Sequence, residues 1–284
     1  MKTKNAMQLK ALINNRARAA GINPQALMQN YLIERFLERL AQSRWRDDVV
    51  VKGGVLIASL VGVESRTTMD LDTTIRGFTL SHETAQQVFQ EVASIPCDDD
   101  WTFLFDRTVD IRETDDYPGI RVHLKAVFPP MSVPFTIDVT TGDKITPAPI
   151  EYDYPKLFDD GSIRLLAYPL ETVLAEKLET VISRGVTNTR PRDFYDIHVL
   201  WRLHGGECNM HTLRAALDAT CEKRGSVGRV LRWERVFDEV ENDSPMQSLW
   251  QKYIQRNAYA AQTSLQQCCA TAREVMLAMQ VSPA

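Results

Sequence analysis

The chain has 284 residues, 44% hydrophobic and 25% charged, with a formal net charge of −4; this is the profile of an ordinary globular protein of one or two domains and excludes a low-complexity chain or one that binds nucleic acid through bulk basicity. Its longest apolar run, residues 55–63, is too short to span a bilayer, and the polar start Met1-Lys2-Thr3-Lys4-Asn5 is unlike a signal peptide, so no membrane partner and a cytoplasmic location are expected. Five cysteines, an odd number without zinc spacing, predict free thiols, and the five histidines (His82, His123, His198, His204, His211) form no ligand pair.

Residues 6–44 read as two amphipathic helices separated by Gly21-Ile22-Asn23-Pro24, with Asn23 placed to cap the second. A β-branched strand over 47–52 stops at Gly53-Gly54, where an apolar helix over 55–61 opens and ends at Gly62 as its C-cap. Strands follow over 68–76, 101–112, 119–128, 133–140 and 162–167, with a helix at 82–94 among them. Asp98-Asp99-Asp100 reads as a loop and Asp143, after Gly142, as a turn residue. From 168 onward helices dominate, including one after Arg190-Pro191, one opened by Ser244-Pro245 and a last one near 262–280. Strands followed by helices indicate an α+β class. The expected parts are an N-terminal helical segment over 1–45, a sheet domain over 46–167 and a C-terminal helical domain over 168–284.

Charge placement carries the chemistry. In Arg66-Thr67-Thr68-Met69-Asp70-Leu71-Asp72 a strand would project Asp70 and Asp72 to one face and turn Met69 and Leu71 toward the core. Two half-buried carboxylates side by side need a cation, and hard oxygen ligands suit Mg2+, or Mn2+ in its place; a solvated edge or turn is the alternative. Asp138, between Ile137 and Val139, adds a third carboxylate on a half-buried strand. Three acids on neighbouring strands are what two-metal nucleotidyl transfer requires. Gly53-Gly54 at a helix start lets backbone N–H groups approach a triphosphate closely.

Downstream, residues 168–182 form an amphipathic helix in which Lys177 borders the apolar stripe of Leu170, Val173, Leu174, Leu178 and Val181. Lys177 would either snorkel to water or donate to phosphate oxygens. In the next helix Phe194, Ile197, Leu200 and Trp201 form the core side, while Asp193 sits in the first turn and Asp196 one turn on, either as solvated acids or as groups orienting Lys177 or Arg192. Arg66, Arg190 and Arg192 suit bidentate phosphate contacts. Residues 222–235 concentrate Lys223, Arg224, Arg229, Arg232 and Arg235, either an RNA backbone track or a solvated surface.

The ordered set Val51-Lys52-Gly53-Gly54, Arg66-Thr67-Thr68-Met69-Asp70-Leu71-Asp72, Ile137-Asp138, Ala175-Glu176-Lys177-Leu178 and Arg192-Asp193-Phe194-Tyr195-Asp196 resembles the AbiEii/AbiGii toxin family, from near Leu32 to about Arg224. The resemblance implies a DNA polymerase beta-like nucleotidyltransferase core with a mixed β-sheet, serving as the toxin of a type IV toxin-antitoxin or abortive-infection pair. By the same resemblance, Asp70, Asp72 and Asp138 would hold the metals, and Lys52, Gly53, Gly54, Arg66 and Arg192 the nucleotide. Lys177, Asp193 and Asp196 would complete the catalytic set. The implied partners are an NTP, an RNA acceptor, in particular the tRNA 3′ end, whose modification would block translation, and a cognate antitoxin. Two alternatives use the same residues: nucleotidylation of a protein hydroxyl, or a nucleotide- or RNA-binding module without catalysis.

Overall fold

The computed structural model describes residues 5–111 and 119–281. The first four residues of the polar N-terminal start and residue 112 at the end of an expected strand lie outside them. The chain divides into two compact units, one of Met1–Asp143 and Pro149–Tyr168, the other of Lys144–Ala148 and Pro169–Ala284.

The first unit opens with helices α1 (Ala6–Ala20) and α2 (Pro24–Gln42). Asn23 caps α2 by accepting from Gln25 N at 2.7 Å and Ala26 N at 3.4 Å, as Asn before Pro at a helix start predicts. Strand β1 (Val49–Lys52) then leads directly into α3 (Gly53–Val61), followed by β2 (Leu71–Ile75), α4 (His82–Ser94), β3 (Thr102–Ile111), β4 (Gly119–Phe128), β5 (Met131–Thr141), β6 (Ile150–Pro155) and β7 (Ser162–Ala167). Seven strands form one sheet in the order β3-β4-β5-β2-β1-β7-β6. It is mixed: β1 runs antiparallel to β2 and parallel to β7, and β2 runs parallel to β5. Strand β6 is not among the expected strands, although Ile150, Tyr152 and Tyr154 alternate with Glu151, Asp153 and Pro155 at the period of a strand. As an edge strand paired only with β7, it tolerates them.

The centre of the sheet is set by composition. Val49, Val50 and Val51 on β1 are wholly buried, each contributing roughly 1.5–3 kcal/mol on the transfer scale. Helix α2 is buried almost all round, and its polar residues serve as anchors within the core. Asn30 Nδ2 donates to Thr68 O at 2.9 Å, and Gln29 Nε2 donates to Pro134 O at 2.9 Å. Arg39 grips Asp99 with two bonds of 2.7 and 2.8 Å. The loop assignment of residues 98–100 therefore stands, but Asp99 is a buried ion-pair partner, not a solvated acid.

The second unit is helical, with α5 (Leu170–Arg184), α6 (Arg192–His204), α7 (Met210–Lys223), α8 (Val227–Val230), α9 (Trp233–Asn242), α10 (Ser244–Arg256) and α11 (Leu265–Ala278). Phe194, Ile197 and Leu200 of α6 are buried, as the helical period predicts, whereas Trp201, expected on the same face, is only half-buried. Among the described residues no helix is long and apolar enough to cross a membrane.

Candidate active site

The site in the first unit is built where β1 stops. Gly53 has φ +65°, the left-handed region, and a Cβ there would lie 2.7 Å from Asp72 Cβ and collide with its carboxylate. Glycine is required on both counts. At Gly54 a Cβ would sit 2.8 Å from Thr68 Oγ1 and 3.3 Å from Arg66 Nη2. The glycine pair thus lets α3 start against the 66–72 segment. Its first free amide meets a carboxylate of the protein itself: Gly54 N donates to Asp72 Oδ2 at 3.1 Å, which the positive end of α3 favours.

Register fixes the rest. Asp72 pairs with Asp138 across β2 and β5, and residues directly opposite in adjacent strands point to one face. Two carboxylates 66 positions apart in sequence thereby become neighbours. Asp70 lies one residue before β2, in a bend, and accepts from Thr136 Oγ1 of β5 at 2.6 Å. The strand expected over 68–76 is shorter, so its alternation does not reach Met69, which is 41% exposed while Leu71 is buried. Asp138 is joined to Arg121 of β4, Nε to Oδ1 at 2.6 Å and Nη2 to Oδ2 at 2.8 Å. Those hydrogen bonds push the Arg121 guanidinium pKa up, with the Asp70 and Asp72 charges adding to the effect.

Lys52 is buried and pairs with Asp143, which also accepts from Thr140 Oγ1 and Tyr168 OH, both at 2.8 Å. Asp143 is more than a turn residue: it fixes Lys52. Arg66 is buried beside Gly54 and donates to the Thr67 carbonyl. Arg121, Thr136 and Tyr168 are not flagged by any motif; the only sequence signal for Arg121 is its place opposite Asp138 once a β4–β5 hairpin is assumed.

In the second unit Lys177 Nζ lies 2.5 Å from Asp193 Oδ1 and 2.8 Å from Asp196 Oδ2. Those two carboxylates are 2% and 0% exposed, so the solvated-acid alternative is wrong for both. Lys177 does not snorkel to water; it neutralises them. Arg190 Nε approaches Asp193 Oδ2 at 3.7 Å, and Arg192 is exposed at the start of α6. In the basic segment, Arg224 is engaged by Glu179 and Glu176, whereas Arg229, Arg232 and Arg235 are exposed.

Residues 35–272 match the model of the AbiEii nucleotidyl transferase toxins of Type IV toxin-antitoxin systems. The chain belongs to this family. Among solved structures it is similar to JHP933 from Helicobacter pylori, at 15% identity and TM-score 0.49 over 91% of this chain and 94% of that one. It is also similar to an antigenic nucleotidyltransferase-like protein from Paracoccidioides brasiliensis, at 12% identity and TM-score 0.40 over 90% and 93%. No curated protein matches it. As an AbiEii protein it is a nucleotidyltransferase, a toxin of a class paired with antitoxins, and its substrate class is a nucleotide.

Three carboxylates at the sheet of the first unit offer oxygens of the type that a divalent ion takes. Asp70, Asp72 and Asp138 supply hard oxygens, and their bonds take one oxygen from each of Asp70 and Asp72. Both oxygens of Asp138 are engaged by Arg121. Among the described residues no three His, Cys, Asp or Glu are gathered closely enough to hold a metal. The oxygens are of the kind a divalent ion takes, but the three carboxylates are not drawn together around one point, and Asp138 is held by a guanidinium.

Proposed function

We propose that this AbiEii protein is a metal-dependent transferase that moves a nucleoside monophosphate from an NTP to an RNA acceptor, with the tRNA 3′ end as the acceptor. The observation that carries this reading is the register pairing of Asp72 with Asp138, which puts two half-buried carboxylates side by side, one of them on the N-terminus of α3. A module that only binds a polyanion gains nothing from placing acids there. Asp70, Asp72 and Asp138 would hold Mg2+ or Mn2+, which when bound would offset triphosphate charge and acidify the attacking hydroxyl.

The chain's own residues do the remaining work. Gly53 and Gly54 make room for the Asp72 carboxylate, Thr68 and Arg66 to close against the start of α3. Thr136 orients Asp70, and the Gly54 amide orients Asp72, holding both in place before substrate arrives. Arg66, buried beside Gly54, places positive charge at the same turn. The acceptor hydroxyl gives up its proton to solvent and attacks the α-phosphorus; the bond from the α-phosphorus to the α,β-bridging oxygen breaks and that oxygen leaves with pyrophosphate. The family resemblance implies a catalytic role for Lys177, which Asp193 and Asp196 preorganise within the helical unit. Translation would stop through blocked tRNA until the antitoxin counters it.

Incubating the purified protein with labelled NTPs, total tRNA and cell extract tests the acceptor. Label in tRNA is expected. Label in protein alone would replace the RNA reading with nucleotidylation of a protein hydroxyl, and label in neither would leave a non-catalytic module.

A further inference from the structure

The sheet face that carries the carboxylates has a cation at each end of one row. Register places Arg121 opposite Asp138, Asp138 opposite Asp72, and Asp72 opposite Lys52. Across β4, β5, β2 and β1 the charges therefore run plus, minus, minus, plus. Lys52 is committed away from the row, to Asp143. Arg121 is committed to it, through two parallel bonds that occupy both Asp138 oxygens. Such a fork is among the strongest ways to satisfy a carboxylate.

Packing leaves this fork able to open. The Arg121 side chain is 35% exposed and the Asp138 side chain 15%. The guanidinium can turn to solvent without dismantling the core beneath it, where Val122 and Ile137 are wholly buried. An arginine buried for stability alone would have no such exit.

We propose that Arg121 is the resident counter-cation of the carboxylate cluster and competes with a divalent ion for Asp138. This rests on the metal-dependent reading of the same site. While the fork is closed, both Asp138 oxygens accept from the guanidinium, and an ion must compete with that positive charge to gain its third ligand. Arg121 sets a threshold for metal binding and keeps three acids compatible with a folded sheet when no ion is bound.

The test is Mn2+ binding, followed by electron paramagnetic resonance without nucleotide, for the wild type, Asp72→Asn and Arg121→Gln. Arg121→Gln should bind Mn2+ at least ~10-fold more tightly than the wild type, because a positive competitor has been removed. Its metal-free melting temperature should fall, and Mn2+ should restore it. Equal or weaker Mn2+ binding by Arg121→Gln, with wild-type binding lost in Asp72→Asn, would overturn the inference and leave the metal reading intact. Mn2+ binding to none of the three would overturn both. If Arg121→Gln does not fold, the wild type still decides: the Arg121 Nε–H resonance, identified by its loss in Arg121→Lys, should exchange with water much faster once Mg2+ saturates the site. Unchanged protection with Mg2+ bound would overturn the inference.

Discussion

Asp72 and Asp138 stand opposite each other on two parallel strands, one carboxylate fixed by the Gly54 amide and the other by Arg121. Neither acid is fixed by the residues next to it in sequence. Each is held by a neighbour that only the sheet supplies.

Asp72→Asn is expected to abolish nucleotidyl transfer and growth inhibition while leaving the fold intact. The amide oxygen can still accept from Gly54, and one of three repelling charges is gone. The melting temperature should stay within ~4 °C of the wild type or rise. Wild-type transfer by a normally folded Asp72→Asn protein would remove Asp72 from the catalytic set.

Gly53→Ala should be far more damaging than an ordinary glycine replacement. The backbone at φ +65° alone costs about 1–2 kcal/mol for a residue with a Cβ, and that Cβ would displace the Asp72 carboxylate. Urea denaturation and transfer assays should both fall sharply. A stable, fully active Gly53→Ala protein would show that the close approach at this turn is dispensable.

Lys177→Met should lower stability as well as turnover. It leaves Asp193 and Asp196 buried without their shared cation, a loss on the order of 3–5 kcal/mol. The double variant Lys177→Met/Asp193→Asn should recover part of that stability. If Lys177 also steadies transition-state charge, the stable double variant will still turn over ~100-fold or more slowly. Restored stability together with near-normal turnover would confine Lys177 to a structural role.

Thiol chemistry should follow burial. Burial pushes the Cys221 thiol up to about 11 and the Cys269 thiol up to about 12. A raised folded pKa favours the folded state below the unfolded value near 9, and that contribution fades as pH rises through the folded values. Native protein at pH 8 should therefore alkylate slowly at these two positions and quickly once unfolded, and its unfolding midpoint should decline between about pH 9 and 12. Rapid labelling of Cys221 or Cys269 in the native state would contradict their burial.

The exposed arginines of the basic segment offer an RNA test. Arg229→Ala/Arg232→Ala should flatten the log-log salt dependence of tRNA binding by about one unit for every phosphate the pair neutralises in the wild type, with NTP affinity nearly unchanged. Arg224 is excluded from this reckoning because Glu179 and Glu176 already engage it. An unchanged slope would shift attention to Arg190 and Arg192.

Periodicity and punctuation determined most of the elements and their kind, though not β6 or the start of β2. The valine run made β1, the glycine pair started α3, Asn23-Pro24 opened α2, and the helical spacing of Phe194, Ile197 and Leu200 predicted the buried face of α6. These are local effects: a strand or helix propensity, a cap or a positive φ depends on a few adjacent residues. The placement of acids on strands nominated Asp70, Asp72 and Asp138, and the family resemblance added Lys177. What each of them touches was decided only by tertiary structure. Arg121 reaches Asp138 because a hairpin sets the β4–β5 register, Asp143 reaches Lys52 across two strands that are not consecutive, and Asp193 with Asp196 closes on Lys177 because α5 packs against α6. An ion pair depends on side-chain separation in space, and for charges tens of residues apart that separation does not exist until the chain has folded.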